Sequence, residues 1–474
     1  MMYWFERFGT MGFSLLRFSL LKEVARKRLS TSASIDCPSL ACGASSRMPL
    51  AYGQKHMGGG SRIAQFCSRK SLGYAKRQVN LTAGLLVGLL VTTGCRQPPL
   101  ILDSPSSEGA DCVTNYEPDK DYFPDKVQLE YATGFSVDYF NHYKVVTVTQ
   151  PWKAAAETFE YVLVQCGTPA PTELSDAQII EVPIRTVATL STTYLPHLEL
   201  LDQTDALVGV DQFNFIYAPN VRQKIDRGEL IEFNSGRTLD MEKLLVAAPD
   251  LVMAYGTGDP DVDSYSRIMQ AGLPVALVGE YVETSPLGRA EWLMFTALFF
   301  NQEARAQQIF TDIATEYSAL VELTDTLTER PGVFTGFSYE GTWYMSGGKS
   351  YAAALLEDAG ADYLWADNDS TVTIPLDFES VFDQAVAADV WINVSQDWFS
   401  YGDAIATDPR YGKFSALEQN NVFNNNARMN EFGGNDYWES GAVSPHLILA
   451  DLVKIFHPQL LPDHDLVYYQ KLEP

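Results

Sequence analysis

The chain has 474 residues, which is enough for two or three domains that each bury a core of their own. Its 60 Asp and Glu outnumber its 34 Lys and Arg, for a net charge of −26, although the residues up to Gly94 are basic, with 13 Lys or Arg against 3 Asp or Glu. The remainder is therefore strongly acidic and would repel nucleic acid and anionic lipid headgroups, so we expect neither as a partner.

Residues 1–75 are rich in Ser, Arg and Gly and show no sustained hydrophobic period. We interpret them as a non-structural leader, added by a start codon placed too early, with Met57 among the candidate true starts. This stretch takes no part in the predicted fold.

Residues 76–94 have the layout of a secretory signal: a basic pair, a short apolar stretch over Leu81–Val91 and small residues after it. The stretch ends at Cys95 and resembles a bacterial lipoprotein signal, in which Cys95 would become the lipidated first residue. An ordinary cleaved signal and a buried helix with a chance cysteine are the alternatives. The lipoprotein interpretation predicts an exported, periplasmic or cell-surface protein, anchored to a membrane through a polar tether over 95–111.

Residues 112–180 alternate apolar and polar side chains and are rich in aromatic and β-branched residues, which predicts a small antiparallel sheet. Cys112 and Cys166 are the cysteines that remain after Cys95. Two cysteines in an exported chain more often form a disulfide than a metal site. We therefore predict that these two form a disulfide that stabilises the sheet.

From residue 181 onward, short apolar strands alternate with helices, which predicts parallel sheets with right-handed crossovers. We predict a first lobe over 181–286, a helical connector over 287–330 and a second lobe over 331–474. In the connector we predict one helix up to Phe300, a break near Asn301 and a second helix from Gln302 to about Leu327. The second helix has about 26 residues and is roughly 39 Å long, which is enough to bridge two lobes. The predicted fold class is α/β, with two parallel-sheet lobes, each a three-layer α/β/α arrangement, joined by one long helix and preceded by the strand-rich segment.

Ligands of open parallel sheets bind beyond the carboxyl ends of the strands, and this rule nominates a largely aromatic set of residues. Aromatic rings offer flat apolar area with a polar rim, which suits a cleft that binds a small molecule. In the first lobe the nominated residues are Ser191, Thr192, Phe213, Tyr217, Tyr255, Glu280 and Tyr281. In the second lobe they are Tyr339, Trp343, Tyr344, Gln396, Asp397 and Trp398.

The segment SYEGTWYMSGGKSY gathers several of these aromatics around Gly347 and Gly348. Glycines let backbone amides approach a ligand, although a hairpin whose rings pack on the core would have the same composition. Nearer the C-terminus, Arg428 lies in a loop rich in Asn and Gly, where its fork of donors suits a ligand carboxylate or phosphate. A neighbouring carboxylate of this acidic chain is an equally good partner.

Motifs of catalysis and of metal binding are weak in this sequence. It contains no GxSxG elbow, no complete dinucleotide-binding loop and no HxH or HExxH spacing. We therefore predict no catalytic residues, no metal-ligating residues and a protein that is not an enzyme. The alternative from another class is an exported hydrolase that uses Glu280 together with Asp397 for acid–base chemistry.

One phrase occurs twice, as LDMEKLLVAAPDLVMAYG from Leu239 and as LDFESVFDQAVAADVWINV from Leu376. Together with the lipoprotein-like signal, the two lobes and the long connector, it resembles the substrate-binding proteins of iron-siderophore and vitamin B12 ABC transporters, over about 182–462. The resemblance implies that Glu242 and Glu379, one in each lobe, dock onto arginines of a membrane permease. Stabilisation of the helix ends alone is the alternative. We expect a monomer whose lobes make only small rigid-body motions.

The resemblance also implies a small molecule that is held in the cleft between the lobes without chemical change. An aromatic cleft without clustered metal ligands suits a metal chelate, and we expect a ferric siderophore first and cobalamin or haem next. Tyr344 or Tyr351 would be able to ligate haem iron. We expect no cofactor of the protein's own.

Overall fold

A computed structural model describes residues 112–174, 177–234 and 238–474. The predicted leader, signal peptide, tether and lipid-anchor residue Cys95 lie outside the described residues. None of the helices within those ranges is both long and apolar enough to cross a membrane.

The N-terminal segment forms a four-stranded sheet, joined to the first lobe through the side chain of Gln178. That side chain donates to the Val275 carbonyl at 2.6 Å and accepts from the Val275 N–H at 2.9 Å, as a neighbouring strand would. Cys112 and Cys166 form a disulfide. The fourth strand crosses the predicted boundary at residue 180 and pairs in parallel, whereas the other pairs are antiparallel. The strands are β1 (Phe135–Tyr139), β2 (Tyr143–Val148), β3 (Phe159–Gln165) and β4 (Gln178–Val182).

The first lobe contains a five-stranded parallel sheet in the order β7-β6-β5-β8-β9. Along β8, Leu251 and Met253 join one apolar cluster and Val252 and Ala254 join another, so both faces of the sheet are covered. This is why its strands are continuously apolar. The elements are β5 (Val187–Thr189), α1 (Leu195–Leu200), β6 (Leu207–Val210), α2 (Pro219–Asp226), β7 (Ile231–Glu232), α3 (Met241–Ala247), β8 (Leu251–Ala254), α4 (Tyr265–Gln270) and β9 (Val275–Leu277).

The connector consists of two helices, α5 (Pro286–Leu298) and α6 (Glu303–Thr324), so the longer helix has 22 residues and is shorter than predicted. The chain breaks at Asn301, which has a φ of 52°. Lys144 of β2 stabilises this break, because its Nζ donates to the Leu298 carbonyl at 2.7 Å and to Glu303 at 2.6 Å. The strand-rich segment is thereby fixed to the connector.

Two buried glutamates attach residues 127–134, which we call the N-terminal strap, to the connector. Glu291 of α5 accepts backbone N–H groups from residues 130, 131 and 132 at 2.6–2.9 Å. Glu283 accepts those of residues 133 and 134, both at 2.8 Å. The predicted N-terminal segment is therefore built into the core of the molecule.

The second lobe has a five-stranded sheet in the order β13-β10-β15-β16-β17, in which only the last pairing is antiparallel. A smaller antiparallel sheet, β11-β12-β14, lies beside it. The elements are β10 (Gly332–Thr335), β11 (Ser338–Tyr339), β12 (Thr342–Met345), α7 (Tyr351–Asp358), β13 (Asp362–Tyr363), β14 (Ile374–Leu376), α8 (Phe378–Ala385), β15 (Val390–Ile392), α9 (Tyr401–Thr407), α10 (Ser415–Glu418), β16 (Val422–Asn424), α11 (Pro445–Phe456) and β17 (Gln470–Lys471).

The two parallel-sheet lobes confirm the predicted α/β fold class. The carboxyl ends of β5, β6 and β8 in the first lobe and of β15 in the second lead into the same cavity. The topology therefore brings the carboxyl ends of strands from both lobes to the same cavity. This is the arrangement expected from the strand-end rule, that ligands of open parallel sheets bind beyond the carboxyl ends of the strands.

Candidate functional site

A cavity of about 130 Å³ lies between the lobes, with walls from both. Its volume is close to that of an engineered cavity that takes up benzene, about 150 Å³. Its lining from the first lobe is Leu190, Ser191, Thr192, Thr193, Leu195, Val210, Asp211, Gln212, Phe215, Ile216 and Tyr255. Its lining from the second lobe is Gln396, Gly433, Gly434, Asn435 and Trp438.

The lining combines apolar surface with a few polar groups held in place by local hydrogen bonds. Ser191 caps the 3-10 turn that follows β5, and its hydroxyl lies 2.9 Å from that of Thr193. The Asp211 carboxylate accepts from the Asn234 amide at 3.0 Å. An apolar concavity with a few oriented polar groups is the usual composition of a small-molecule site.

Behind Thr193, the carboxyl of Glu280 is 3% exposed and does not line the cavity. Burial raises the pKa of Glu280, although Arg289 and the Thr193 side chain both favour the ionised form. The Arg289 guanidinium lies 3.9 Å from this carboxyl and 5.2 Å from the ring centre of Tyr351 in the second lobe. Glu280, which was predicted to contact the ligand, therefore has its side chain directed into the core.

Four strand-end residues that the sequence nominated do line the cavity, namely Ser191, Thr192, Tyr255 and Gln396. Tyr281 lies beside them without lining it, and its hydroxyl donates to the Gly256 carbonyl at 2.5 Å. They line it because each lies within about four residues of the end of a strand that leads into the cavity.

Phe213 does not line the cavity, and its backbone is held by two side chains of the first lobe. Its N–H donates to Glu232 at 2.8 Å and its carbonyl accepts from Arg222 at 2.7 Å. The neighbouring Phe215 lines the cavity in its place. A one-turn 3-10 helix, Phe213–Phe215, decides which of the two rings faces the cleft.

Trp343 and Trp398, which were predicted to contact the ligand, are core residues of the second lobe and do not line the cavity. Trp343 is fully buried, its indole donates to the Thr335 carbonyl at 2.8 Å, and it packs on Trp391 with ring centres 5.7 Å apart. Trp398 is 4% exposed and donates to Thr407 at 3.1 Å. Both indoles have their polar atom satisfied inside the second lobe, so their rings fill its core.

Tyr339 and Tyr344 lie on the β11–β12 hairpin and do not line the cavity. The turn at Glu340 and Gly341 has positive φ at both residues, 50° and 83°, as a tight hairpin requires. Tyr339 is 41% exposed beside that turn. The segment is therefore a hairpin that packs Trp343 into the core and leaves Tyr339 exposed.

Arg428 and Tyr217 contact each other across the lobes, although both were predicted to contact the ligand. The Arg428 guanidinium lies 5.3 Å from the ring centre of Tyr217 and forms an ion pair with Asp436 at 2.8 Å. Neither residue lines the cavity. Arg428 therefore pairs with a neighbouring carboxylate, which was the alternative to a ligand carboxylate or phosphate.

The loop after β16 supplies the cavity residues that the strand-end rule missed, Gly433, Gly434, Asn435 and Trp438. A Cβ atom at Gly434 would lie 2.6 Å from the Phe215 carbonyl oxygen of the first lobe, so only glycine allows this approach. The feature of the sequence that would have indicated this loop as part of the cavity wall is its Gly-Gly pair, which is flanked by Asn, Asp and Trp.

The repeated phrase marks the start of an equivalent helix in each lobe. Asp240 caps α3 by accepting from the Lys243 N–H at 3.1 Å, and Asp377 caps α8 by accepting from the Ser380 N–H at 2.7 Å. Glu242 and Glu379 therefore stand in the exposed first turns of these helices. Glu379 forms an ion pair with Arg410 at 3.1 Å.

Within the described ranges, no group of three or more His, Cys, Asp or Glu side chains is placed to hold a metal ion. Tyr351, considered above as a haem ligand, is half-buried and lies against Arg289.

A family model described as periplasmic binding protein matches residues 187–428. An uncharacterized lipoprotein of Methanocaldococcus jannaschii is 23% identical over 305 residues, covering 62% of this chain and 70% of the relative.

Two solved structures overlap 58% and 61% of this chain. One is a possible iron-binding, periplasmic solute-binding protein of Staphylococcus epidermidis, at 16% identity, 98% coverage of that chain and a TM-score of 0.47. The other is a periplasmic heme binding protein of Pseudomonas aeruginosa, at 15% identity, 99% coverage and a TM-score of 0.46.

Proposed function

The chain belongs to the periplasmic binding protein family, and on that premise we propose that it captures a metal chelate of the iron-siderophore type for an ABC import system. The bound chelate is then delivered to the membrane permease. The observation that carries the proposal is the cavity whose walls come from strand ends of both lobes. Such a site encloses a solute when the lobes approach and releases it when they separate.

The chemistry of the lining supports a ligand with both flat apolar and polar surface. Phe215, Tyr255 and Trp438 supply rings, while Ser191 and Asn435 supply polar groups. A cavity of about 130 Å³ is smaller than the 300–1,000 Å³ usual for ligand pockets. A siderophore, cobalamin or haem therefore needs a more open cleft, and we take the structure to represent a closed conformation.

Delivery is proposed to use Glu242 and Glu379, which are exposed on equivalent helices of the two lobes. A carboxylate on each lobe lets one partner surface contact both lobes at once and sense their separation. Attachment to the membrane is proposed through Cys95, and the lipoprotein relative supports this.

The hydrolase alternative receives no geometric support. Glu280 is buried behind Thr193 and engaged with Arg289, and Asp397 is exposed in the second lobe. Acid–base chemistry needs both carboxyls within reach of one substrate in an accessible site. The proteins of this family are solute-binding proteins, which agrees with the proposed capture without turnover.

The test is to purify the full chain from native membranes and to identify what accompanies it by mass spectrometry and metal analysis. The same protein is then titrated with a ferric hydroxamate, cobalamin and haem while its tryptophan fluorescence is recorded. Trp438 lines the cavity, so we expect the bound chelate to quench it and Trp438→Phe to lose most of that quenching. Trp365→Phe, at a buried tryptophan outside the lining, is the matched control.

Recovery of the chelate unchanged after binding supports capture. Chemical conversion of the bound molecule, or quenching that persists in Trp438→Phe and is lost in Trp365→Phe, would overturn the proposal. If the protein prefers cobalamin or haem to the ferric hydroxamate, the proposed ligand changes, while capture and delivery to the permease remain the proposed mechanism.

A further inference from the structure

Residues 430–439 of the second lobe, which we call the latch loop, lie across residues 214–218 of the first lobe. The Asn430 amide donates to the carbonyls of Asn214 at 2.9 Å and Ile216 at 2.8 Å. The Asn430 side-chain oxygen accepts from the N–H of Gly434 at 2.8 Å, which fixes the loop around it. One side chain thus shapes the loop and binds the opposite lobe.

Glu439, at the other end of the latch loop, caps a helix of the first lobe. Helix α2 has Ala218 at its N-cap position and so lacks a side-chain cap of its own. The Glu439 carboxyl accepts the N–H groups of Tyr217 at 2.8 Å and of Ala218 at 2.7 Å. A carboxyl group at a helix N-terminus satisfies N–H groups that have no carbonyl partner within the helix. The second lobe therefore completes a helix of the first.

Further contacts accompany these four hydrogen bonds. Gly434 packs against the Phe215 carbonyl, Arg222 lies 5.6 Å from the ring centre of Phe432, and Arg428 covers Tyr217 as described above. All these contacts join the two lobes.

Both segments also form walls of the cavity. The latch loop contributes Gly433, Gly434, Asn435 and Trp438, and the segment beneath it contributes Phe215 and Ile216. Separating the two segments would therefore remove one side of the cavity.

We propose that the latch loop holds the cleft closed, with Asn430 and Glu439 as the positioning residues that a ligand must release in order to enter or leave. The inference rests on the proposed function only in taking this cavity as the solute site. It explains how a cavity of about 130 Å³ admits a larger chelate, since release of the four hydrogen bonds opens one wall.

The test is hydrogen–deuterium exchange of the full chain without added ligand, followed by peptide mass spectrometry. The variants are Asn430→Ala, Glu439→Ala and the double variant. Opening of the cleft exposes the cavity walls on both lobes, including Leu190–Thr193, which the latch loop does not bond. We expect exchange there to rise about tenfold or more in the double variant, since four hydrogen bonds between the lobes are lost together.

Glu431→Ala is the matched control, because it removes an exposed carboxylate from the same loop. It should leave exchange at Leu190–Thr193 unchanged. Circular dichroism and the melting temperature establish that each variant is folded. If Glu439→Ala fails to fold, Glu439→Gln, which keeps the shape and one good acceptor, should still raise exchange severalfold.

An increase confined to residues 213–220 and 429–440 would overturn the proposal, because the latch loop would then be a local cap without influence on the cleft. An equal rise in the Glu431→Ala control would overturn it too. The measurement needs no ligand, so its outcome is independent of whether the titrations above identify a chelate.

Discussion

Several acidic side chains in the described part of the chain are buried and bind backbone N–H groups. Glu283, Glu291, Glu439 and Asp451 each accept at least two of them. Burying a carboxylate is costly unless it is hydrogen-bonded, and charge-assisted bonds to N–H groups offset that cost. Part of the acidic excess is therefore structural.

Glu439 makes stability depend on pH. Burial raises its pKa to about 8, the nearby Asp436 and Glu199 add to the rise, and the N–H groups of Tyr217 and Ala218 oppose it. The folded chain therefore keeps a proton that the unfolded chain loses above its ordinary pKa of 4.5. The associated stability is complete below about pH 4.5 and is lost as the pH rises through about 8.

We predict that Glu439→Gln removes this dependence. Between pH 5 and 8 the free energy of unfolding of the wild type should fall relative to the variant by up to about 1.4 kcal/mol per pH unit. Urea unfolding at several pH values measures the difference. Asp436 is paired with Arg428 and remains in both proteins, so its contribution cancels. Parallel pH profiles for the two proteins would contradict the prediction.

Lys144 is a buried cation whose removal should be far more costly than that of a surface lysine. It pairs with Glu303 at 2.6 Å, both side chains being at most 4% exposed, and burial lowers its pKa to about 8. We predict that Lys144→Ala lowers the free energy of unfolding by about 3–5 kcal/mol, because Glu303 is left buried without its cation.

The matched control for that prediction is Lys126→Ala, whose partner Asp121 is 45% exposed at the same nitrogen–oxygen distance of 2.6 Å. Lys126→Ala should lower the free energy of unfolding by no more than about 1 kcal/mol, since exposed ion pairs contribute little to stability. Urea unfolding at pH 7 compares the two. Equal costs would show that burial does not determine the contribution of the pair.

At the scale of elements, an extended segment near each end of the described chain is held in the same way, by a buried carboxylate on a helix. Glu291 of α5 binds the N-terminal strap, and Asp451 of α11 accepts the N–H groups of residues 467, 468 and 469 at 2.7–3.1 Å. Extended segments have few internal hydrogen bonds, so such an acceptor satisfies several N–H groups at once.

We predict that Glu291→Gln destabilises the N-terminal strap. An amide has one good acceptor and turns donors toward the three N–H groups, so the free energy of unfolding should fall by about 2–4 kcal/mol. Hydrogen exchange at residues 130–132 should rise at the same time. Glu322→Gln, at an exposed glutamate of α6, is the control and should change neither quantity. Unaltered exchange in the strap would contradict the prediction.

At the scale of the whole molecule, the two proposed docking sites are not equivalent. Arg410 forms an ion pair with Glu379 at 3.1 Å, lies 3.8 Å from the ring centre of Phe378 and also binds Asp408 at 2.7 Å. A permease arginine would have to compete with Arg410 in the second lobe. In the first lobe Glu242 is exposed beside Leu245 and Val246, which are 45% and 79% exposed.

We predict that Glu242→Ala weakens binding to the permease more than Glu379→Ala does, by about tenfold against about twofold, because rim charges that are already paired contribute little. Affinity of the purified protein for the permease in nanodiscs measures both. Asp383→Ala, at an exposed carboxylate of α8, is the control. When Arg410→Ala is also present, the losses of affinity caused by Glu242→Ala and by Glu379→Ala should become similar. Unchanged affinity in the double variant Glu242→Ala, Glu379→Ala would show that neither glutamate docks onto the permease.

Much of the architecture could be predicted because it depends on local pattern. Alternating apolar strands and helices predicted both lobes, and the Leu-Asp-x-Glu phrase marked two equivalent helix starts. The α2 helix was missed although Pro219 and Gly228 mark its two ends, because Val221 is its one buried residue and no apolar period runs along it. The latch loop was missed because only its contact with the opposite lobe gives it a role. Among the candidate ligand residues, Tyr255 lies in the cavity wall, whereas Trp343 and Trp398 belong to the core.

By itself, the sequence determined the α/β class, the division into two lobes, the disulfide partners and the edge of each sheet that faces the cavity. These features depend on hydrophobic period, helix caps and the number of cysteines, all of which can be read from the sequence without knowing its long-range contacts. Only the tertiary structure decided which aromatic rings face the cleft, that Arg428 contacts Tyr217, and that Glu439 of one lobe caps a helix of the other. Those outcomes depend on packing between residues more than 200 positions apart, such as Tyr217 and Glu439, which no local pattern encodes.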